Sequence, residues 1–170
     1  EQELYSAELA GLLGMPFAFA HHFSSANTLP ALARYRESFR PGRALDEPYA
    51  MVTVNVVCAP TDDEADRIAL PSALSFLRLR QGHPGTLPTP ETAAAYPWSE
   101  PERAFVRQRR EGQAIGSPQT VEKELAGLLE ATAADELMIS SLLHDPADRV
   151  RSTELVRDLI DGDLPIGLGG

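Results

Sequence analysis

The chain has 170 residues and a formal net charge of −10, with an isoelectric point near 4.8. That length holds one ordinary domain with a real core but falls short of a closed eight-stranded βα barrel, which needs roughly 250 residues. The acidic balance argues against a nucleic-acid or anionic-membrane partner, no apolar run approaches the ~20 residues that cross a bilayer, and no basic-then-apolar leader opens the sequence.

The first element is a short helix over Leu4–Leu13, where Leu4, Leu9, Leu12 and Leu13 form an apolar stripe beside Ala7, Ala10 and Gly11. Gly14 and Pro16 end it. Phe17-Ala18-Phe19-Ala20 alternates large and small side chains as a strand does, and such alternation lets neighbouring layers of a small barrel interdigitate. His21 and His22 stand at its C-terminal end, and a helix over Leu29–Phe39 follows, closed by Pro41-Gly42. Met51–Cys58 is the clearest strand, β-branched at most positions and apolar on both faces, with Asn55 as its one strongly polar interior residue.

Thr61 caps the next helix with Glu64 three residues later, while Asp62 and Asp63 favour the positive end of the helix dipole; Pro71 is expected to kink this helix. From Gln81 to Pro101 prolines replace periodicity, so this stretch is expected to be an insertion loop carrying Trp98, the single tryptophan. The arginines of 103–110 are flanked by Glu100, Glu102 and Glu111 and read as a solvated helix face. Ser117-Pro118 starts another helix, Glu136–Ser141 holds the last strand, and Ala147–Ile160 is the final helix, with Val150, Leu155, Val156, Leu159 and Ile160 facing inward. Residues 164–170 read as a flexible tail after a body spanning 1–163. Three strand-like runs separated by helices predict a parallel α/β sheet, whose chemistry lies in the loops after the strands.

His21 and His22 are therefore the leading chemical candidates, because imidazole titrates near neutrality and the end of a parallel strand is where such sites form. The competing structural reading makes one histidine a helix cap and leaves the other in solvent. A metal site is rejected, since adjacent residues of an extended chain point to opposite sides and no Cys or carboxylate cluster lies nearby. Asn55 must find hydrogen-bond partners, in a polar interior layer or on a ligand. Trp98 either pins its loop to the body or contacts a ligand. The amides that open the helix after Ser117 can hold an anion, though ordinary capping accounts for the same residues. His144-Asp145 is read as a helix cap rather than a base with its orienter. The single cysteine, Cys58, cannot form an internal disulfide, which suits a reducing, cytoplasmic setting.

Several ordered pieces of this sequence resemble the bacterial-luciferase-like flavin-dependent oxidoreductases. They are Tyr5-Ser6-Ala7, Gly14–Phe23, Val54-Asn55-Val56-Val57, Thr61–Ala65, Ile115–Val121, Ala134–Ile139, and Asp145, Arg149 and Ser152. The resemblance implies the C-terminal three βα units of a (β/α)8 TIM barrel, an open half barrel completed by another chain. It implies a monooxygenase using reduced FMN and O2 on a small organic substrate, or a related enzyme using the deazaflavin F420. His21, His22, Asn55 and Trp98 would then shape the substrate pocket and shield the reacting flavin from water, and Ser6 would contact the cofactor; the resemblance leaves the catalytic groups unassigned. One departure stands out: where the family's flavin-phosphate turn carries small hydroxyl residues, this chain has Gln2 and Glu3. A carboxylate beside a phosphate costs about 4 kcal/mol at 4 Å in a medium of effective dielectric ~20.

Two other readings compete. One makes the chain a non-catalytic relative, without cofactor, that hides its open edges in a homodimer or against a complementary chain. The other makes it an unrelated α/β binding domain that shares only turn signals.

Overall fold

The computed structural model describes residues 2–22 and 24–162, so the tail predicted at 164–170 lies outside the described residues. The elements run α1 (Gln2–Leu12), β1 (Phe17–Ala20), α2 (Thr28–Ser38), β2 (Ala50–Cys58), α3 (Asp62–Arg80), α4 (Pro90–Ala95), α5 (Glu100–Arg110), β3 (Gln113–Gly116), α6 (Pro118–Thr132), β4 (Glu136–Ser140) and α7 (Pro146–Gly162). They fall into two compact units, 1–54 with 127–140 and 55–126 with 141–170. The strand β2 runs through both. In the first unit β1 lies parallel to it, Phe17 opposite Ala50 and Ala20 opposite Thr53; in the second β3 does the same, Asn55 opposite Gln113 and Cys58 opposite Gly116. β4 also pairs with β2.

The first unit is built on the large-small alternation of β1. Phe17 and Phe19 are buried with Ala50, Val52, Leu32 and Tyr35, whereas Ala18 and Ala20 on the opposite face are exposed. Met51 and Thr53 are likewise only half-buried. This half of β2 therefore buries one face, contrary to the two-sided burial its composition predicts. Tyr35, fully buried, stacks on Phe17 at 5.3 Å between ring centres. Its hydroxyl donates toward Met15 O at 2.8 Å and Tyr49 O at 3.2 Å and accepts from Tyr49 N at 3.0 Å. One side chain thus ties together the approaches to β1 and β2 and sets their register. Asp135 adds to this, accepting from Ala50 N at 2.7 Å through its carboxylate.

α1 reverses the expected orientation of its stripe. Ala7 and Gly11 are buried, while Leu4, Leu9, Leu12 and Leu13 stay exposed at 36–56 %. The small residues permit close approach to α2: a Cβ on Gly11 would come within 2.6 Å of Tyr35 O. Close helix contact outranks leucine burial here.

Two core clusters stand out among the described residues of the second unit. One gathers Val57, Ala65, Ile68, Ile115 and Leu143; the other gathers Leu74, Leu77 and Ala93 under Tyr96, Trp98 and Phe105. Three expectations from the sequence fail in this unit. The stretch 81–101 is not structureless, because Thr89 caps α4 by accepting from Thr92 N at 3.1 Å and Ser99 with Glu102 forms a capping box at the start of α5. The prolines at 90 and 101 sit in first helical turns, where a missing N–H costs nothing. β3 is a fourth strand beyond the three runs legible in sequence; it is too short, with a single β-branched residue, to show a period. Val150, expected to face inward, is 56 % exposed on α7.

Candidate functional site

Strand ends position the candidates. His21 follows β1 directly, and its Nδ1 lies 2.7 Å from the hydroxyl of the buried Thr28, the residue that opens α2. Burial first, and the neighbouring His22 second, hold the His21 imidazole below its ordinary pKa, so at neutral pH the ring is uncharged. His22 donates from Nδ1 to Thr53 O of β2 at 3.2 Å, which requires the proton on that nitrogen. The two rings are thus fixed by different partners, but from a turn after β1 and not from the extended chain that the sequence predicts. Among the described residues the His21 Nε2 has no protein partner. A neutral, oriented imidazole of this kind can donate or accept one hydrogen bond with a bound molecule.

Ser6 is exposed in the second turn of α1. One turn earlier, the Glu3 carboxylate accepts from Asn27 Nδ2 at 2.8 Å and Ser24 Oγ at 3.3 Å, latching the start of α1 to the segment after β1. The amino-terminal end of α1 therefore carries its own carboxylate. A phosphate group does not fit beside it.

The other two candidates belong to the second unit. Asn55, 8 % exposed, reaches Gln113 Oε1 at 3.4 Å, so its amide serves a cross-strand pair with β3. Trp98 packs with the core around Leu74 and Leu77, stacks edge-on against Tyr96 at 4.9 Å, and donates its indole N–H to Ala93 O at 3.0 Å. These contacts pin the 81–101 segment to the body. The amino end of α6, an anion-site candidate in the sequence, is met from within: Asp62 Oδ1 accepts from Ser117 N at 2.6 Å. That backbone bond, then the hydroxyls of Thr120 and Ser117, hold the Asp62 carboxyl below its usual range. Asp145 caps α7 by accepting from Ala147 N at 2.8 Å, while His144 contacts Leu87 O at 3.2 Å.

Sequence reasoning does not find Thr28 or Thr53, nor the contact of Glu3 with Asn27 and Ser24, because these roles arise from contacts distant in the chain. Ser152 stands out in the sequence only through the family resemblance, which gives no hint of what its side chain does. Fully buried, it accepts the N–H of Cys58 at 2.8 Å. Cys58 itself is buried, and burial lifts its thiol to about 11. It is no nucleophile at neutral pH.

Parallel strands joined by helices, with histidines after β1, make up a βα array. No known family profile matches the chain. It is 44 % identical over 155 residues to the uncharacterised protein YvbT of Bacillus subtilis, covering 91 % of this chain and 46 % of that protein. It is 37 % identical over 156 residues to a luciferase-like monooxygenase of Escherichia coli, covering 92 % and 47 %. Among solved structures it superposes on apo-MsnO8 with a TM-score of 0.83 at 34 % identity, over 93 % of this chain and 48 % of that one. The oxygenating constituent of 3,6-diketocamphane monooxygenase from Pseudomonas putida, solved with FMN, shares the fold at TM-score 0.57 and 24 % identity, over 94 % and 46 %. So does a coenzyme F420-dependent tetrahydromethanopterin reductase from Methanopyrus kandleri, at 0.53 and 18 %, over 92 % and 47 %. The chain belongs to the luciferase-like family, as a partial member that matches the C-terminal half of its relatives and carries part of their barrel. It spans about half the length of the curated relatives it matches.

Proposed function

We propose that this chain supplies the C-terminal half of a flavin-dependent monooxygenase that acts on a small organic substrate with O2. The observation that carries the proposal is the one-sided sheet of the first unit: Ala18, Ala20, Met51 and Thr53 leave one face open beside a neutral, anchored His21. Small residues on that face give a planar ring room to approach the strands, and His21 offers it or the substrate a hydrogen bond. FMN is the preferred cofactor and F420 the alternative, following the cofactors named for two structural neighbours. A bound flavin would supply the redox chemistry. The residues of this chain would supply a wall and an orienting imidazole. Glu3 does not suit the phosphate, so the phosphate contacts are assigned to residues outside this chain, and Ser6 is left at most an outer contact. Within this reading His22 sets the strand-end geometry, Asn55 and Trp98 hold the second unit together, and the working protein is a cytoplasmic homodimer or a complex with a complementary chain.

The test is a titration of the chain with FMN, oxidised and then chemically reduced under argon, followed by the imidazole C–H resonances of His21 and His22. Saturable shifts of the His21 signals in at least one redox state are expected. Absence of shifts in both states refutes the proposal for this polypeptide. The open sheet face and the exposed leucines of α1 also support a second reading, a non-catalytic subunit that pairs with another chain; a stable monomer by light scattering, with its strands ordered, would count against that.

A further inference from the structure

The second unit contains a cavity of about 340 Å3 walled by α3, α5 and β3. Its apolar lining is Ala69, Leu70, Ala73, Val106 and Ile115, and charged side chains stand among them. Most of the charges are committed. Arg67 pairs with Glu64 at 2.8 Å and Glu91 at 3.5 Å, and Arg110 pairs with Asp66 and donates to Ile115 O at 3.2 Å. Arg109 differs. Half-buried, it rests over the Phe76 ring at 3.7 Å and has no hydrogen bond or ion pair among the described residues. Burial lowers its pKa without releasing its proton at neutral pH. Gln113, on the same wall, has its Nε2 shut away from solvent with no acceptor among the described residues.

A half-buried guanidinium without a counter-ion, stacked so that its fork is held, is prepared for a planar anion. A carboxylate matches that fork with two parallel hydrogen bonds. The carboxylates of Asp63 and Asp66 also line the cavity and oppose a phosphate dianion more than a monoanion. The five apolar side chains call for an apolar body behind the anionic head, and the volume lies at the small end of ligand pockets. We propose that this cavity binds a small monocarboxylate with an apolar body, its carboxylate paired with Arg109. The proposal does not rest on the flavoprotein reading.

Calorimetric titration of the chain with octanoate, with 1-octanol as the uncharged comparison, tests it. Octanoate should bind saturably and shift the methyl resonances of Leu70, Val106 and Ile115, and octanol should bind more weakly. Arg109→Gln should weaken octanoate by roughly tenfold to a hundredfold, the worth of a charge-assisted hydrogen bond. Arg107→Gln, on the same helix but paired with Glu100, should leave binding unchanged. If Arg109→Gln loses its fold by circular dichroism, Arg109→Lys takes its place and should weaken octanoate while octanol stays as before. No saturable octanoate binding, equal binding of octanol, or binding indifferent to substitution of Arg109 overturns the proposal.

Discussion

Tyr35→Phe isolates the contribution of one hydroxyl to the strand pair that carries His21. Phenylalanine keeps the ring contacts with Phe17 at 5.3 Å and Phe39 at 5.9 Å and opens no void beyond one oxygen. What disappears is the link from the hydroxyl to Met15 O, Tyr49 O and Tyr49 N. Tyr49 O keeps a partner, the N–H of Phe17 at 3.0 Å, so the net loss is about two hydrogen bonds at ~1 kcal/mol each. With a urea m-value of about 2 kcal/mol per molar, the denaturation midpoint should fall by roughly 1 M at unchanged m. Because the hydroxyl couples residues just before β1 and β2, amide exchange of Phe17–Ala20 should accelerate more than that of α2. A midpoint shift below about 0.2 M, worth only about 0.4 kcal/mol at that slope, would refute the argument that Tyr35 sets the register.

His21 predicts a pH dependence: its pKa is lowered in the folded state, so the unfolded chain binds the extra proton and stability should fall as pH drops below about 6.5. His21→Asn should flatten that limb in urea titrations at a series of pH values. Ser152→Ala strands the buried N–H of Cys58 and should cost about 1–3 kcal/mol by chemical denaturation, with Ser152→Thr tested beside it to separate hydroxyl from packing. Gly116→Ala places a Cβ 2.6 Å from both Asp62 Oδ1 and Thr120 Cβ; it should displace Asp62 from Ser117 N and cost about 1–3 kcal/mol, visible as a lower thermal midpoint. Cys58, buried with its thiol raised to about 11, should resist iodoacetamide at neutral pH until the chain is unfolded.

The helices and strands with strong local signals are legible because their causes are local. Thr61, accepting from Glu64 N at 3.3 Å, starts α3 where the sequence places it, although Glu64 turns to Arg67 instead of closing the box. β2 announces itself through its β-branched run. By contrast β3 owes its strand state to pairing with Asn55–Cys58, and four residues cannot display that partner. The exposed leucines of α1 mislead because apolar periodicity reports a face without saying whether Leu or the small residues win the nearer neighbour. His21 and His22 are legible as residues at a strand end, while Thr28 and Thr53, which orient them, answer to tertiary geometry. Arg109 is hidden inside a charge run that composition reads as solvated.

The two halves of β2 show why a partial barrel can be recognised in one unit and not the other. Asn55–Cys58 is buried at every position, so the second unit meets the demand of a parallel sheet for cover on both faces. Ala50–Val54 alternates buried and half-buried, and beside it β1 exposes both alanines. A parallel strand left open on one face departs from the rule for such sheets, and local sequence does not explain the departure, since Met51 and Thr53 are ordinary strand residues. The relatives resolve it: each is about twice as long as the region matched, and in a barrel the small residues of one strand are covered by side chains from strands across the interior. In the reading proposed above, the open face at Ala18, Ala20, Met51 and Thr53 is a lining surface whose opposite layer comes from elsewhere. His21 stands at its rim with one nitrogen committed to Thr28 and the other turned to no protein group among the described residues.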